Sequence, residues 1–284
     1  MIVATSADGV QVRAADEGQG PAVVVLHGGL DDGSQWRKVA GRLTPRLRVV
    51  RIHRRQYRLD LTPSSTIAQE VEDVRTVVAA LGGGPVLLVG HSSGGVVALE
   101  AALALPGAFT GLVLYEPPVV VGSSLGGAAT AAARAALARG RRGKALEIFI
   151  RDVVRLPPWQ AWLVGAVTCV HPELRAFVPR QIDDLQAIDQ LGERLDAYRA
   201  VGIPTVLLGG ETSPAHLGER LDALARVLPA AERVTLPREG HGGHMRSPGR
   251  VARVVAAAAA PRDRSGPAVV EPERDRGEHE RHAP

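Results

Sequence analysis

The segment Val86-Leu87-Leu88-Val89-Gly90-His91-Ser92-Ser93-Gly94-Gly95-Val96-Val97 decides how the rest of the chain is read. Its first five residues are apolar without alternation, as expected of a strand buried on both faces. Its last residues open an apolar run that can begin a helix. Between the two sits Gly90-His91-Ser92-Ser93-Gly94, a G-x-S-x-G pentapeptide. A strand that turns straight into a helix lifts the middle serine off the sheet on a sharp bend, the nucleophile elbow. Neighbouring backbones then approach so closely that Gly is needed at Gly90 and Gly94. The helix aims its unpaired N–H groups and positive dipole end at the serine, where an attacked carbonyl gathers negative charge. Gly is 32 of 284 residues, so the pentapeptide alone is weak; the strand before it and the helix after it give it weight.

Upstream, residues 2–20 alternate weakly around Asp8-Gly9 and suggest an antiparallel hairpin. Ala22–Leu26 is a continuous apolar run ending in His27-Gly28-Gly29. Trp36, Val39, Ala40 and Leu43 share one helical face, and Arg48–Ile52 reads as the next strand. The loop His53-Arg54-Arg55-Gln56-Tyr57-Arg58 follows. Its charges read as solvated surface, with a minor alternative in which one Arg holds a substrate carboxylate or phosphate. Thr66 and Gln69 form a capping box for a helix carrying Ile67, Val71, Val74, Val78 and Leu81.

Downstream, the elbow helix runs to about Leu105, and Gly111–Tyr115 is a strand ending at Glu116-Pro117-Pro118. From Val119 to about Ala200 helical patterns replace strands, at Ala128–Arg139, Lys144–Arg155 and Gln181–Leu191. Pro157-Pro158 and Pro172 are expected to break them. Trp159, Trp162, Leu163, Val167 and Phe177 read as the block's own small core, or else as the wall of an apolar pocket. The strand–helix rhythm returns with Pro204–Gly209, the helix of Leu217, Leu221, Leu224 and Leu228, and the strand Arg233–Leu236. Gly240-His241-Gly242-Gly243-His244 and a helix around Val251–Ala260 close it. Residues 262–284 are charged and nearly free of large apolar groups, and read as a disordered tail. Alternation of strands and helices implies an α/β fold with a mostly parallel sheet covered on both faces. His27-Gly28-Gly29, Ser92, Glu116, Glu211 and His241 all follow strands, so they converge on one sheet edge, where such sheets bind ligands.

The composition narrows the classes. Hydrophobic residues are 45% of the chain, enough for a full core, while aromatics are only 3%, so Val, Leu and Ala must fill it. Formal net charge is +4, carried almost wholly by Arg, without a basic run interleaved with aromatics, which argues against nucleic acid. The N-terminus lacks the pattern of a signal peptide and no apolar stretch approaches a membrane span, so the expectation is a cytoplasmic protein with no membrane contact. The single cysteine, Cys169, reads as a small buried apolar residue.

With these motifs in place, the chain resembles the α/β-hydrolase fold family over roughly residues 2–260. His27-Gly28-Gly29, Gly90-His91-Ser92-Ser93-Gly94 and Gly240-His241 carry the resemblance, in the family's order of nucleophile, acid and histidine. It implies an eight-stranded sheet, a core from residues 1–118 and 201–261, and a helical cap at 119–200. It implies Ser92 as nucleophile, His241 as base with His244 as a rival, and the backbone N–H groups of Gly29 and Ser93 as the oxyanion hole. A zinc site on His241 and His244 is a weaker reading, because no H-E-x-x-H pattern joins them. His27 and His91 are expected to be structural. The acid departs from the commonest pattern. Gly210-Glu211-Thr212-Ser213-Pro214 places Ser213 where members often carry Asp. Glu116, at the end of the sixth strand, is the favoured acid; Glu211 and Asp222 are the alternatives.

The resemblance implies a serine hydrolase with no cofactor or metal, acting on a small molecule with an ester, lactone or thioester acyl group. Two alternatives stay open. One is a thioesterase or acyltransferase, served by an acidic carrier protein docking near Arg134, Arg139, Arg141 and Arg142. The other is a non-hydrolytic binding or lyase-type protein on the same fold, motivated by Ser213.

Overall fold

Eight strands form one sheet in the order β1-β2-β4-β3-β5-β6-β7-β8 in a computed structural model that describes residues 1–62 and 65–260. The expected tail at 262–284 lies outside the described residues. The strands are β1 (Ile2–Thr5), β2 (Gln11–Glu17), β3 (Ala22–Leu26), β4 (Arg48–His53), β5 (Val86–His91), β6 (Phe109–Tyr115), β7 (Thr205–Gly210) and β8 (Ala231–Leu236). Only β2 runs against its neighbours; every pairing from β4 to β8 is parallel.

The unbroken apolar runs follow from burial on both faces. Val24, Val50, Leu88, Leu112 and Leu207 point to one side, under α2 (Ile67–Ala80), α3 (Ser93–Ala104) and α9 (Ala215–Val227). The alternate residues Val23, Val49, Leu87, Val113 and Val206 point to the other, under α1 (Arg37–Leu43) and α11 (Pro248–Ala259). With period two, a strand buried on both faces must be apolar at every position. The expected capping box starts α2: Thr66 Oγ1 accepts from the Gln69 N–H at 3.2 Å and Gln69 Oε1 accepts from the Thr66 N–H at 2.9 Å.

Between β6 and β7 the chain leaves the sheet and forms α4 (Gly127–Ala138), α5 (Arg142–Ile148), α6 (Pro158–Val170), α7 (Pro172–Leu191) and α8 (Leu195–Tyr198). A π-helical turn, Phe149–Val153, extends α5. Here the sequence reading needs correction. Pro158 and Pro172 do not break helices but begin them, because the first helical position has no N–H bond to lose. The whole of α6 and the first half of α7 were therefore missed.

The aromatic residues of α6 are also not where the sequence suggested. Trp159 and Trp162 are 65% and 63% exposed, and Leu163 and Val167 face outward too. The helix turns its small face inward instead, with Ala161, Gly165 and Thr168 buried. Gly165 packs so closely on Gly143 of α5 that a Cβ on it would sit 2.8 Å from the Gly143 carbonyl oxygen. Cys169, on the same outer side, is exposed rather than buried. Arg134 of α4 is ion-paired to Asp183 at 2.8 Å within the block, so its charge is not free for an acidic carrier.

Candidate active site

The bend after β5 is strained as the pentapeptide requires. Ser92 has φ 51° and ψ −128°. Its N–H donates to the Tyr115 carbonyl at 2.9 Å, and its carbonyl accepts from the Gly95 N–H at 2.7 Å. A Cβ on Gly94 would collide with the carbonyls of Leu26 and His27, so the helix can start here only with glycine. Five non-glycine residues among those described have positive φ, and three of them are Leu30, Ser92 and Glu116. They stand just beyond β3, β5 and β6 on one edge of the sheet. Strain of this kind costs ~1–3 kcal/mol per residue and persists where surrounding structure enforces it.

His241 reaches this edge from the loop after β8. Its Nδ1 lies 2.7 Å from Glu116 Oε2, while Glu116 Oε1 accepts from the Gly210 N–H at 2.7 Å. Burial pushes the Glu116 carboxyl up, but the His241 imidazole, Ser213 and the Gly210 N–H outweigh it and hold the group below its ordinary value. The Ser213 hydroxyl acts here by proximity, since it makes no hydrogen bond of ordinary geometry among the described residues. Tyr115 fastens the histidine loop: its hydroxyl donates to the Gly240 carbonyl and accepts from the Gly243 N–H at 3.1 Å. The end of β6 thus supplies both the carboxylate against the imidazole and the anchor of its loop.

The other carboxylates and histidines are elsewhere engaged. Glu211 is exposed and accepts from the Arg238 N–H at 2.6 Å. Asp222 is exposed and pairs with Arg233 at 2.5 Å. His244 is buried, stacked 5.3 Å from Trp36, and has no partner for either ring nitrogen among the described residues. Burial and the neighbouring His241 push it down to about 4, so it is neutral at pH 7. His91 Nε2 lies 3.1 Å from the His241 carbonyl and so carries the proton that it donates. Burial, then His244 and His241, lower its pKa far below that of an ordinary imidazole. Two neutral rings therefore lie beside His241, and neither repels a charge forming on it. Among the described residues no group of three or more His, Cys, Asp or Glu is placed to hold a metal ion.

The loop after β3 is held rigidly beside the elbow. His27 Nδ1 donates to the Gly28 carbonyl at 2.8 Å, and its Nε2 accepts from the Arg54 N–H at 3.1 Å. A Cβ on Gly28 would lie 3.0 Å from Ser92 Cβ, which puts this loop directly against the serine. Asp31 Oδ1 closes the loop by accepting from the N–H groups of Asp32 at 2.8 Å and Gln35 at 3.2 Å.

The arginine loop is neither solvated nor free for substrate. Arg54 is 1% exposed. It binds Glu70 of α2 at 2.6 Å, Asp184 of α7 at 3.1 Å and the Ser93 hydroxyl at 2.7 Å. Arg55 pairs with Asp73 and Asp8, and Arg58 with Asp60. Arg180 of α7 reaches back to the carbonyls of Thr62, Arg58 and Leu61 at 3.1, 3.1 and 2.6 Å. The Tyr57 hydroxyl lies 2.7 Å from Asp184 Oδ2 and 3.2 Å from Gln181 Oε1. These contacts dock α7 on the sheet edge and press the Gln181 side chain against Gly29.

Ser92 and His241 line one small cavity of about 60 Å³. Phe149, Val153, Val154, Leu185 and Ile188 give it an apolar wall, and His216 and Arg220 of α9 stand at its side. The sequence reading had not singled out Tyr115, Gln181, Asp184, His216 or Arg220. Only Tyr115 carried a signal, its place as the last residue of a strand beside Glu116.

Residues 23–254 match the model of the alpha/beta hydrolase family. An alpha/beta hydrolase from Sphaerobacter thermophilus superposes with a TM-score of 0.79 at 28% identity, over 91% of this chain and 100% of that one. A thermophilic esterase from Thermogutta terrifontis superposes with a TM-score of 0.71 at 22% identity, over 90% and 96%. The 2-(acetamidomethylene)succinate hydrolase of Mesorhizobium japonicum is 22% identical over 82% of this chain and 85% of its own. Lipase LipV of Mycobacterium tuberculosis is 34% identical over 37% of this chain, and the match spans less than half of the lipase, 41%. With the family model covering the sheet from β3 to β8, the elbow and the histidine loop, the chain belongs to the alpha/beta hydrolase family.

Proposed function

We propose that this hydrolase cleaves a carboxylic ester, lactone or thioester through an acyl-enzyme on Ser92. His241 Nε2 takes the Ser92 proton as Oγ bonds to the substrate carbonyl carbon, and the carbonyl oxygen becomes an oxyanion. The N–H groups of Gly29 and Ser93 receive that charge, and the dipole of α3 adds to it. Glu116 Oε2 accepts from His241 Nδ1, which fixes the tautomer with Nε2 free and stabilises the imidazolium. The proton then passes from Nε2 to the leaving alcohol or thiol as its bond to the acyl carbon breaks. Water, deprotonated by His241, attacks the acyl carbon; Ser92 recovers its proton and a carboxylic acid leaves.

The observation that carries this reading is the 2.7 Å contact of His241 Nδ1 with Glu116 Oε2 beside the cavity that Ser92 also lines. Esterase and lipase names among the compared proteins support an ester bond as the target. Rapid mixing with p-nitrophenyl acetate tests it. The expected result is a burst of one p-nitrophenol per chain, absent in Ser92→Ala. A burst that survives Ser92→Ala would overturn the assignment of the nucleophile.

A further inference from the structure

Arg220 is a cation without a counter-ion among the described residues, at the wall of the reaction cavity. Its Nε donates to the Val119 carbonyl at 3.0 Å and its Nη1 to the His216 carbonyl at 2.9 Å. Among the described residues no carboxylate lies within ion-pair distance of it, whereas Arg54, Arg55 and Arg58 around the same edge all have one. The two carbonyls hold the guanidinium in place and leave Nη2 without a partner among the described residues. His216, one turn earlier on α9, also lines the cavity, and its ring makes no hydrogen bond among the described residues.

The surrounding charges do not complete the site. Glu116 is committed to His241 and Gly210. Glu219 is exposed, and it adjoins Arg220 on the helix, where successive side chains do not face one another. Arg155 follows Val153 and Val154 of the cavity wall with φ 61°, and it adds a second positive charge. Burial, then Arg155, lowers the Arg220 pKa. Burial, then Arg220 and Arg155, pushes His216 down to about 4. The imidazole is thus a neutral partner beside the cation. Apart from Ser92, Ser93 and His241, the rest of the wall is apolar but for Gln181, whose Oε1 lies 3.2 Å from the Tyr57 hydroxyl.

From this arrangement we infer that the substrate bears a free carboxylate besides its scissile acyl bond, and that Arg220 binds this carboxylate. The inference rests on the hydrolase reading above and narrows its substrate class to esters of short dicarboxylic acids. An apolar wall faces the carbons between the two groups, and a guanidinium supplies the planar fork that a carboxylate fits. Arg155 assists from the more exposed side as a through-space charge.

The test pairs mono-p-nitrophenyl succinate with its neutral counterpart p-nitrophenyl butyrate. The wild type is expected to favour the charged ester in kcat/KM. Arg220→Met is expected to lower the charged-to-neutral ratio about 10- to 100-fold, the range of a lost charge-assisted hydrogen bond. Arg220→Lys is expected to restore part of the ratio, and Arg155→Gln to lower it only a few-fold. A purely structural clamp on Val119 would depress both esters together and leave the ratio unmoved, which would overturn the inference.

Calorimetry with monomethyl succinate on Ser92→Ala gives a second readout that needs no turnover. Binding is expected with Arg220 and lost in Ser92→Ala/Arg220→Met; equal binding in both would contradict the proposal. If neither ester is turned over but this binding depends on Arg220, the hydrolase reading falls and the carboxylate site stands.

Discussion

Glu116 uses both oxygens, one for the Gly210 N–H and one for His241 Nδ1. Removing its charge while keeping its shape should disturb the imidazole without unfolding the edge. Glu116→Gln is expected to lower kcat about 100- to 10,000-fold with KM changed only a few-fold. Glu211→Gln and Asp222→Asn, whose carboxylates are bound to Arg238 and Arg233, are expected to stay within about two-fold of wild type in the same assay. Loss confined to Glu211→Gln would reverse this choice. Arg54 offers a test of stability. It holds two buried carboxylates, Glu70 and Asp184, so Arg54→Met strands both. A loss of ~3–5 kcal/mol in urea unfolding is expected. The strand-end position of Glu116 was legible in the sequence, because a residue directly after a parallel strand reaches the ligand edge. The partners of Arg54 were not, since they lie 16 and 130 residues away.

The helices between β6 and β7 show why this region resisted sequence reading. In β3 and β5 burial on both faces writes itself as a continuous apolar run. In α6 the buried face is made of small residues, Ala161 and Gly165, and the large apolar residues point outward. A rule that places Trp inside then selects the wrong face. The inward glycine can be tested directly. Alanine is the better helix former by ~1 kcal/mol, so Gly165→Ala would stabilise an unpacked helix. Against Gly143 it meets a backbone carbonyl at 2.8 Å and Glu147 Cβ at 3.0 Å. Overpacking should win, with a loss of ~1–3 kcal/mol measured by chemical unfolding. A gain would mean that α5 and α6 are not in this contact. The same close packing carries α5 into the π-turn whose Phe149 and Val153 reach the cavity, so activity should fall with stability in this variant.

Around the whole molecule, burial has collected histidines that stay neutral. Burial lowers His27 and His91 far below the ordinary imidazole value, and pushes His216 and His244 down to about 4. Unfolded, each takes a proton near pH 6.5, so between that pH and about 4 the unfolded chain binds protons that the folded chain refuses. Their contribution is whole above pH 6.5 and is lost as pH falls. Burial raises Asp31, Glu70 and Asp73, which offsets part of this, so a difference between variants reads it best. His244→Phe keeps the stack on Trp36 and cannot titrate. Between pH 7 and pH 5 it is expected to lose ~2 kcal/mol less stability than the wild type. An identical loss in both would show that His244 is not held neutral. His216 lines the cavity with Ser92, and the reactivity of the Ser92 hydroxyl is the claim on which the rest depends. The direct measurement is labelling with a fluorophosphonate probe, with the modified residue located by mass spectrometry. One adduct per chain is expected, on Ser92, formed at least 100-fold more slowly in His241→Asn. An unlabelled Ser92, or labelling that ignores the loss of His241, would contradict it.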